Sequence, residues 1–110
     1  MERMLVYSRE YLEFEENSSP RVKEKLRYAT AILETIYPIP TKFVKKLINT
    51  DFYELRISVE QEVRVILFAV DNPNINLSQR VIFLNGFIKK ANKDYVKEVE
   101  KAMEILRRLL

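Results

Sequence analysis

Four basic residues in or beside three apolar segments are the residues of this 110-residue chain best suited to chemistry. Arg56 lies within FYELRISV, Arg64 interrupts VRVILFAV, and the pair Lys89-Lys90 follows VIFLNGFI. Guanidinium and ammonium groups held on rigid strands can bind a phosphate and stabilise negative charge that develops on it. The chain contains no histidine and no cysteine, so proton transfer has to use Arg, Lys, Tyr or carboxylate side chains.

Each of these cations also has a purely structural interpretation. Arg56 is equally typical of a solvated charge on the exposed face of a half-buried strand. Arg64 could form a structural ion pair with Glu54 or Glu62, because a charge within an apolar strand is usually paired or functional. The Lys89-Lys90 pair is also consistent with a basic loop that only improves solubility.

Further polar residues extend the candidate site. Asn85 adds a polar donor at the end of the third apolar segment. Tyr95 is either a boundary aromatic residue that caps the core or a functional residue, which stacks on a base or donates a proton. Other lysines are interpreted either as solvated side chains or as phosphate contacts of low specificity, namely Lys42, Lys45, Lys46 and Lys93.

Composition excludes several classes of function. Hydrophobic residues make up 47% of the chain and the net charge is +3, which is typical of a globular domain. The excess of positive charge lies in residues 41–110, with 13 basic and 9 acidic side chains, against 6 and 7 in residues 1–40. The absence of His and Cys removes the usual triads and zinc sites, so we expect no metal and no cofactor. No apolar run is long enough to span a membrane, and we expect a cytoplasmic protein.

The sequence predicts one α+β domain over residues 1–110 with the order β-α-α-β-β-β-α. In this fold a small antiparallel or mixed sheet carries two N-terminal helices and a C-terminal helix. Ser8 and Ser19 are predicted N-caps, with Pro20 as the first residue of the second helix. The buried stripe of that helix is predicted to contain Val22, Leu26, Ala29, Leu33 and Ile36.

The second half of the chain supplies the predicted strands and the last helix. Residues 41–51 are expected to form about two helical turns or a tight connector, with Phe43 and Leu47 facing inward in the helical case. The strands are predicted at residues 52–59, 63–70 and 80–85, and Gly86, the only glycine, is expected to end the last one. The helix that starts near Asn92 is predicted to bury Val96, Val99, Met103, Leu106 and Leu110.

The segments FYELRI, VRVILF, VIFLNGFIKK and KEVEKAMEIL together closely resemble the RelE/HigB superfamily of bacterial type II toxins. The resemblance is nearest to the phage-derived Gp49-like branch, spans nearly the whole chain and is most specific from Phe52 to Met103. It implies an endoribonuclease that needs no metal and cleaves mRNA on the ribosome. It also implies a cognate antitoxin, often one with a helix-turn-helix domain, as the partner.

The resemblance also implies roles for individual residues. Arg56 and Arg64 match basic residues on two strands of the family's site, Lys89-Lys90 match basic residues after the last strand, and Tyr95 lies near a functional tyrosine of some relatives. The chain departs from HigB relatives that use histidines, and it has Asp94-Tyr95 where some Gp49-like sequences have Thr-Pro.

The expected reaction is attack of a ribose 2′-hydroxyl on the adjacent phosphate. Arg56 and Arg64 would stabilise the transition-state charge. Lys89 or Lys90 would serve as the base, because neighbouring cations make an ammonium group lose its proton more easily. Tyr95 or a second lysine would protonate the leaving oxygen.

Two alternatives remain open from the sequence. ParE-like relatives of the same fold act on DNA gyrase, although the basic cluster favours RNA. A degenerate toxin could instead persist only as an antitoxin-binding module.

Overall fold

The computed structural model describes residues 2–110, and its elements follow the order predicted from the sequence with one added strand. They are β1 (Met4–Tyr7), α1 (Arg9–Glu16), α2 (Pro20–Thr35), β2 (Val44–Lys46), β3 (Tyr53–Val59), β4 (Gln61–Ala69), β5 (Arg80–Ile88) and α3 (Asp94–Leu109). The strands form one sheet in the order β1-β5-β4-β3-β2. β1 runs parallel to β5 and all other neighbours are antiparallel, so the expected α+β fold with a mixed sheet is confirmed.

The two N-terminal helices begin at the predicted caps. The hydroxyl of Ser8 accepts a hydrogen bond from the backbone amide of Tyr11, and that of Ser19 accepts one from Val22, with Pro20 in the first turn. Such caps satisfy amide groups that have no partner within the helix. The stripe on α2 is buried at Val22, Leu26, Ala29 and Leu33. Ile36 follows the helix as its C-cap and is exposed.

The helices cover opposite faces of the sheet and enclose two apolar clusters. The α1/α2 face contains residues such as Leu26, Leu55 and Phe83, whereas the α3 face contains Ile66, Leu84, Phe87, Ala102 and Ile105. Burial of these side chains is the main driving force for packing both layers. Within residues 2–110, no helix combines the length and the apolar character needed to cross a membrane.

Residues 41–51 are not helical. They contain the short edge strand β2, whose residues Val44 and Lys45 pair with Leu55 and Glu54 of β3. Phe43 and Leu47 are buried, as expected, but they reach the core from turns that flank a strand. The apolar and basic residues of this segment fit a strand because Val44 faces the core while the lysines remain exposed.

The last helix buries a different face from the predicted one. Its fully buried residues are Ala102 and Ile105, whereas Val96, Met103 and Leu110 are exposed. The predicted stripe followed the larger apolar side chains, but small Ala102 allows closer contact with the sheet. Val99 and Leu106, which were also predicted, are partly buried at the border of this face.

β5 does not end at Gly86 but continues to Ile88. A methyl group at residue 86 would lie 2.3 Å from Cδ2 of Phe14, because the ring of Phe14 on α1 packs directly against the strand backbone. Gly86 is therefore explained by close packing rather than by a turn.

Gly86→Ala should destabilise the protein, because the ring of Phe14 would have to leave its site. Overpacking of this kind costs about 1–3 kcal/mol. The free energy of unfolding measured in urea should fall by that amount in the wild-type background and by clearly less in a Phe14→Ala background. Equal losses in the two backgrounds would show that the contact with Phe14 is not the cause.

Candidate functional site

The candidate site is built on the α3 face of the sheet, where β3 and β4 place charged residues side by side. Arg56 pairs directly with Arg64 across the two strands, and Glu54 pairs with Ile66. Because side chains alternate along a strand, Glu54, Arg56 and Arg64 all project towards α3. Tyr95, in the first turn of α3, lies above them.

One carboxylate oxygen of Glu54 joins these elements. Oε1 of Glu54 accepts a hydrogen bond from the Tyr95 hydroxyl at 2.8 Å and lies 3.0 Å from Nε of Arg64. The same Nε donates to the Tyr95 hydroxyl at 3.1 Å. Nε of Arg56 lies 3.7 Å from this oxygen. Glu54, Arg64 and Tyr95 therefore form one network that connects β3, β4 and α3, and we call it the central network.

Arg64 is the most deeply buried cation of the site. Its side chain is 4% exposed, and its other nitrogens donate to Glu62 at 3.1 Å and to the Val63 carbonyl at 3.0 Å. Burial acts to lower the pKa of Arg64, but the hydrogen bonds with Tyr95 and Glu62 outweigh it and raise that pKa. Both glutamates considered as partners from the sequence thus pair with this residue, and Arg64 stays charged.

Tyr95 stays protonated for a different reason. Burial, followed by its hydrogen bond to Glu54, raises the pKa of Tyr95 above the ordinary value for tyrosine. The ring packs edge-on against Phe87, with 5.5 Å between centroids. The ammonium group of Lys89 lies 5.8 Å from the centre of the Tyr95 ring. The hydroxyl is therefore a fixed donor, and the ring carries a cation beside it.

A groove of about 350 Å³ opens over this network. We call it the catalytic groove, after the role that we propose for it below. Arg56, which is 37% exposed, and Lys89 line it together with Glu54 and Tyr95. The remaining wall residues include Lys45, Lys46, Ile48, Asn92 and Val99. Cations, a carboxylate, a phenol and an apolar wall thus meet at one open surface, which suits a ligand with both phosphates and bases.

The remaining predicted residues lie at varying distances from this groove. Lys42 is exposed beside the ring of Phe43, outside the groove wall. The ammonium group of Lys46 bonds the backbone carbonyls of Leu47 and Thr50. Lys93 is the exposed N-cap residue of α3 and makes no side-chain capping bond.

Asn85 and Lys90 hold the start of α3 in position. Asn85 is 1% exposed, and its amide donates to the backbone carbonyl and the carboxylate of Glu98 at 3.1 Å. The backbone amides of Lys90 and Ala91 donate to Asp94, which lowers the pKa of that carboxyl group. The side chain of Lys90 is exposed and is not part of the groove wall. The structure therefore brings Lys89 but not Lys90 to the groove.

Sequence reasoning considered Glu54 only as an ion-pair partner and missed it as a site residue. The signal was present, because the alternation in FYELR places Glu54 and Arg56 on one face of the strand. What the sequence does not reveal is that this face is covered by α3, which makes Glu54 a buried carboxylate that borders an open groove. Among residues 2–110, no three acidic side chains lie close enough together to hold a metal ion.

Comparisons with known proteins agree with this architecture. A sequence model of the family described as phage-derived protein Gp49-like (DUF891) matches residues 13–107. The structure is similar to that of the E. coli toxin RelE, solved as a mutant in the free state, with a TM-score of 0.63 and 17% identity over the full length of both chains. At that identity the likeness shows a shared fold. No curated protein matches the chain significantly. The family and the RelE-like fold expected from the sequence are thereby confirmed.

Arg64→Met should strongly destabilise the protein, because it leaves the buried carboxylate of Glu54 without its main partner. Losing one member of a buried ion pair costs about 3–5 kcal/mol. Urea unfolding should show this loss, and the double variant Glu54→Gln/Arg64→Met should recover part of it.

The matched control is Arg107→Met, which removes an arginine from an exposed ion pair with Glu104. Such a pair contributes about 0–1 kcal/mol. Similar losses in the Arg64 and Arg107 variants would contradict a central role for the buried pair.

Proposed function

We propose that this chain, which belongs to the phage-derived Gp49-like family, is the toxin of a toxin–antitoxin pair and cleaves mRNA on the ribosome. The observation that carries the proposal is the catalytic groove, where Arg56 and Lys89 stand beside the carboxylate of Glu54 and the hydroxyl of Tyr95. The fold shared with a protein described as the toxin RelE supports the same conclusion. The cationic wall favours RNA over the gyrase target that the sequence left open.

The reaction we propose is an attack of the ribose 2′-oxygen on the adjacent phosphorus. A bond forms between these atoms, the bond from phosphorus to the 5′-oxygen breaks, and the products are a 2′,3′-cyclic phosphate and a 5′-hydroxyl. Glu54 takes the proton of the 2′-hydroxyl, and Lys89 gives a proton to the leaving 5′-oxygen. Arg56 stabilises the negative charge on the phosphoryl oxygens. No cofactor enters the proposed reaction.

The buried residues of the central network would act on this chemistry indirectly. Arg64 is a positioning residue in this proposal, because its donors are already used by Glu54, Glu62 and a backbone carbonyl. Tyr95 fixes the carboxylate through its hydroxyl and offers its ring edge to a base. Lys45 and Lys46 contact RNA phosphates at the groove wall, and Lys90 and Lys93 do so nearby, at low specificity.

The proposed partners follow from this activity. Ribosome-bound mRNA is the substrate, and a cognate antitoxin, which we expect to carry a helix-turn-helix domain, keeps the toxin inactive. The site of action would be the cytoplasm, where ribosomes translate.

Arg56→Gln should remove most of the activity while leaving the fold intact. Loss of one preorganised donor to a transition state lowers a rate about 10²–10³-fold. The measurement is ribosome-dependent mRNA cleavage in a reconstituted translation reaction, mapped by primer extension, together with growth after induced expression. Arg56 is the better residue to test than Arg64, because its side chain is partly exposed and its substitution should change stability by only about 0.5 kcal/mol.

Arg9→Gln is the control for this test. Arg9 is 76% exposed on α1, on the opposite side of the sheet, and has the same charge. If growth stops while mRNA remains intact and supercoiling by gyrase is impaired, the target is gyrase rather than mRNA. Normal growth on overexpression, with antitoxin binding preserved, would support a degenerate binding module.

Glu54→Gln should change the shape of the pH–rate profile as well as the rate. A carboxylate base is inactive when protonated, so wild-type cleavage should fall at acidic pH, and the variant should lose this dependence. The rate at each pH is divided by the folded fraction measured by circular dichroism at that pH, which separates proton transfer from stability. Glu100→Gln, an exposed change on α3, should keep the wild-type profile. An unchanged acidic limb in Glu54→Gln would rule out Glu54 as the base.

A further inference from the structure

A second groove lies next to the catalytic groove, on the other side of the edge strand β2. Its volume is about 510 Å³, which is within the range of small-molecule sites, roughly 300–1,000 Å³. Lys45, Lys46 and Arg56 line both grooves. The other walls differ, since Glu54 and Tyr95 belong to the α3 face whereas Val44 and Tyr53 point to the opposite face. The two grooves thus meet across β2.

The charge of the second groove is entirely positive. Its walls contain the four cations Lys42, Lys45, Lys46 and Arg56 and, among the described residues that form them, no carboxylate. The catalytic groove, by contrast, contains Glu54 among its cations. Because the wall of the second groove has no carboxylate, this groove suits binding of an anion rather than proton transfer.

The loop beyond β4 adds neutral donors to this wall. Oδ1 of Asn74 accepts from the backbone amide of Asn76, and Oδ1 of Asn76 accepts from the amide of Ile39. Both residues line the groove, and because each oxygen is held by a backbone amide, the NH₂ group of each carboxamide remains available as a donor. Tyr53 is fixed beside them, because its hydroxyl donates to Pro73 and accepts from Ile75. An aromatic ring beside cations and amide donors is the composition of single-strand binding grooves.

We propose that the second groove binds the nucleotides that flank the cleavage site, so that a single RNA strand crosses β2 from one groove to the other. Lys45 and Arg56 bind the phosphates at the crossing, and Lys42 binds a phosphate in the second groove. This inference rests on the proposed function, whose substrate it extends. A duplex does not fit, because only a single strand can bend around the edge of a sheet.

The test measures binding of single-stranded, non-cleavable 2′-O-methyl RNA at low salt, with a trinucleotide and a nonanucleotide. Lys42→Gln should weaken nonanucleotide binding about tenfold, the effect of one charge-assisted hydrogen bond. It should also reduce the slope of log K against log salt by about 0.7, the value for one phosphate contact in a single strand. Trinucleotide binding should be unchanged, whereas Lys89→Gln in the catalytic groove should weaken binding of both lengths.

Lys101→Gln is the matched control, since Lys101 is an exposed lysine of α3 that lines neither groove. An equal loss in this variant, a loss independent of RNA length, or no binding by the wild type would overturn the inference. Tighter binding of a hairpin duplex or of a polyglutamate peptide than of the single-stranded RNA would also overturn the inference. If Lys42→Gln weakens RNA binding but the wild-type protein cleaves no mRNA, the second groove is an RNA site and the proposed function is wrong. If the protein cleaves mRNA but Lys42→Gln does not change RNA affinity, the proposed function stands and the second groove is not an RNA site.

Discussion

The buried ion pair between Glu54 and Arg64 determines both the position of α3 and the chemistry of the catalytic groove. Two charges removed from water are tolerated only when their hydrogen bonds are satisfied, and here Tyr95, Glu62 and a backbone carbonyl complete the set. The requirement is mutual. Arg64 supplies the counter-charge for the buried carboxylate, and the carboxylate in turn fixes the Tyr95 hydroxyl, which is the first polar contact between α3 and the sheet. A groove whose floor is held in this way is preorganised before any substrate binds.

This pairing divides the basic residues into two groups. Arg64 is neutralised internally and serves the architecture, whereas Arg56 and Lys89 keep exposed surface at the groove. The structural interpretation of Arg64 is the one that the contacts show, because this residue forms ion pairs with both Glu54 and Glu62. This pairing also explains why one face of the sheet carries two arginines directly opposite each other. The same Glu54 oxygen lies 3.7 Å from Nε of Arg56 and 3.0 Å from Nε of Arg64, so its negative charge offsets their repulsion.

The order of the elements and the caps could be predicted from the sequence, because local periodicity and cap chemistry determine them. The clustering of Tyr95 with Arg56, Arg64 and Lys89 was expected only from the family resemblance, because these residues lie on separate elements. The buried face of α3 could not be predicted, because its larger apolar side chains indicate a different stripe from the one that contains Ala102 and Ile105. The position of Asn85 could not be predicted either. β5 contains one extra residue opposite the Ile66/Leu67 step, so Leu84 and Asn85 both face α3. Such a bulge changes which side chains of one strand face each side of the sheet, and the alternation within that strand's sequence does not reveal it. Asn85 consequently lies under the helix instead of at the site surface. Strand β2 was missed because three residues are too short for a period to show.

The lysines of β2 satisfy a second constraint, because an edge strand needs charged side chains to prevent pairing with another chain. Edge protection alone therefore accounts for Lys45 and Lys46. It does not account for Lys42, which precedes the strand, or for Lys89, which follows β5 and stands over the ring of Tyr95. Lys89 lines the catalytic groove and Lys42 lines the second groove, and the cations Lys45, Lys46 and Arg56 line both. The short, basic edge strand thus has two consequences. It prevents pairing with a strand of another chain, and in our proposal it lets a flexible polyanion cross from one groove to the other.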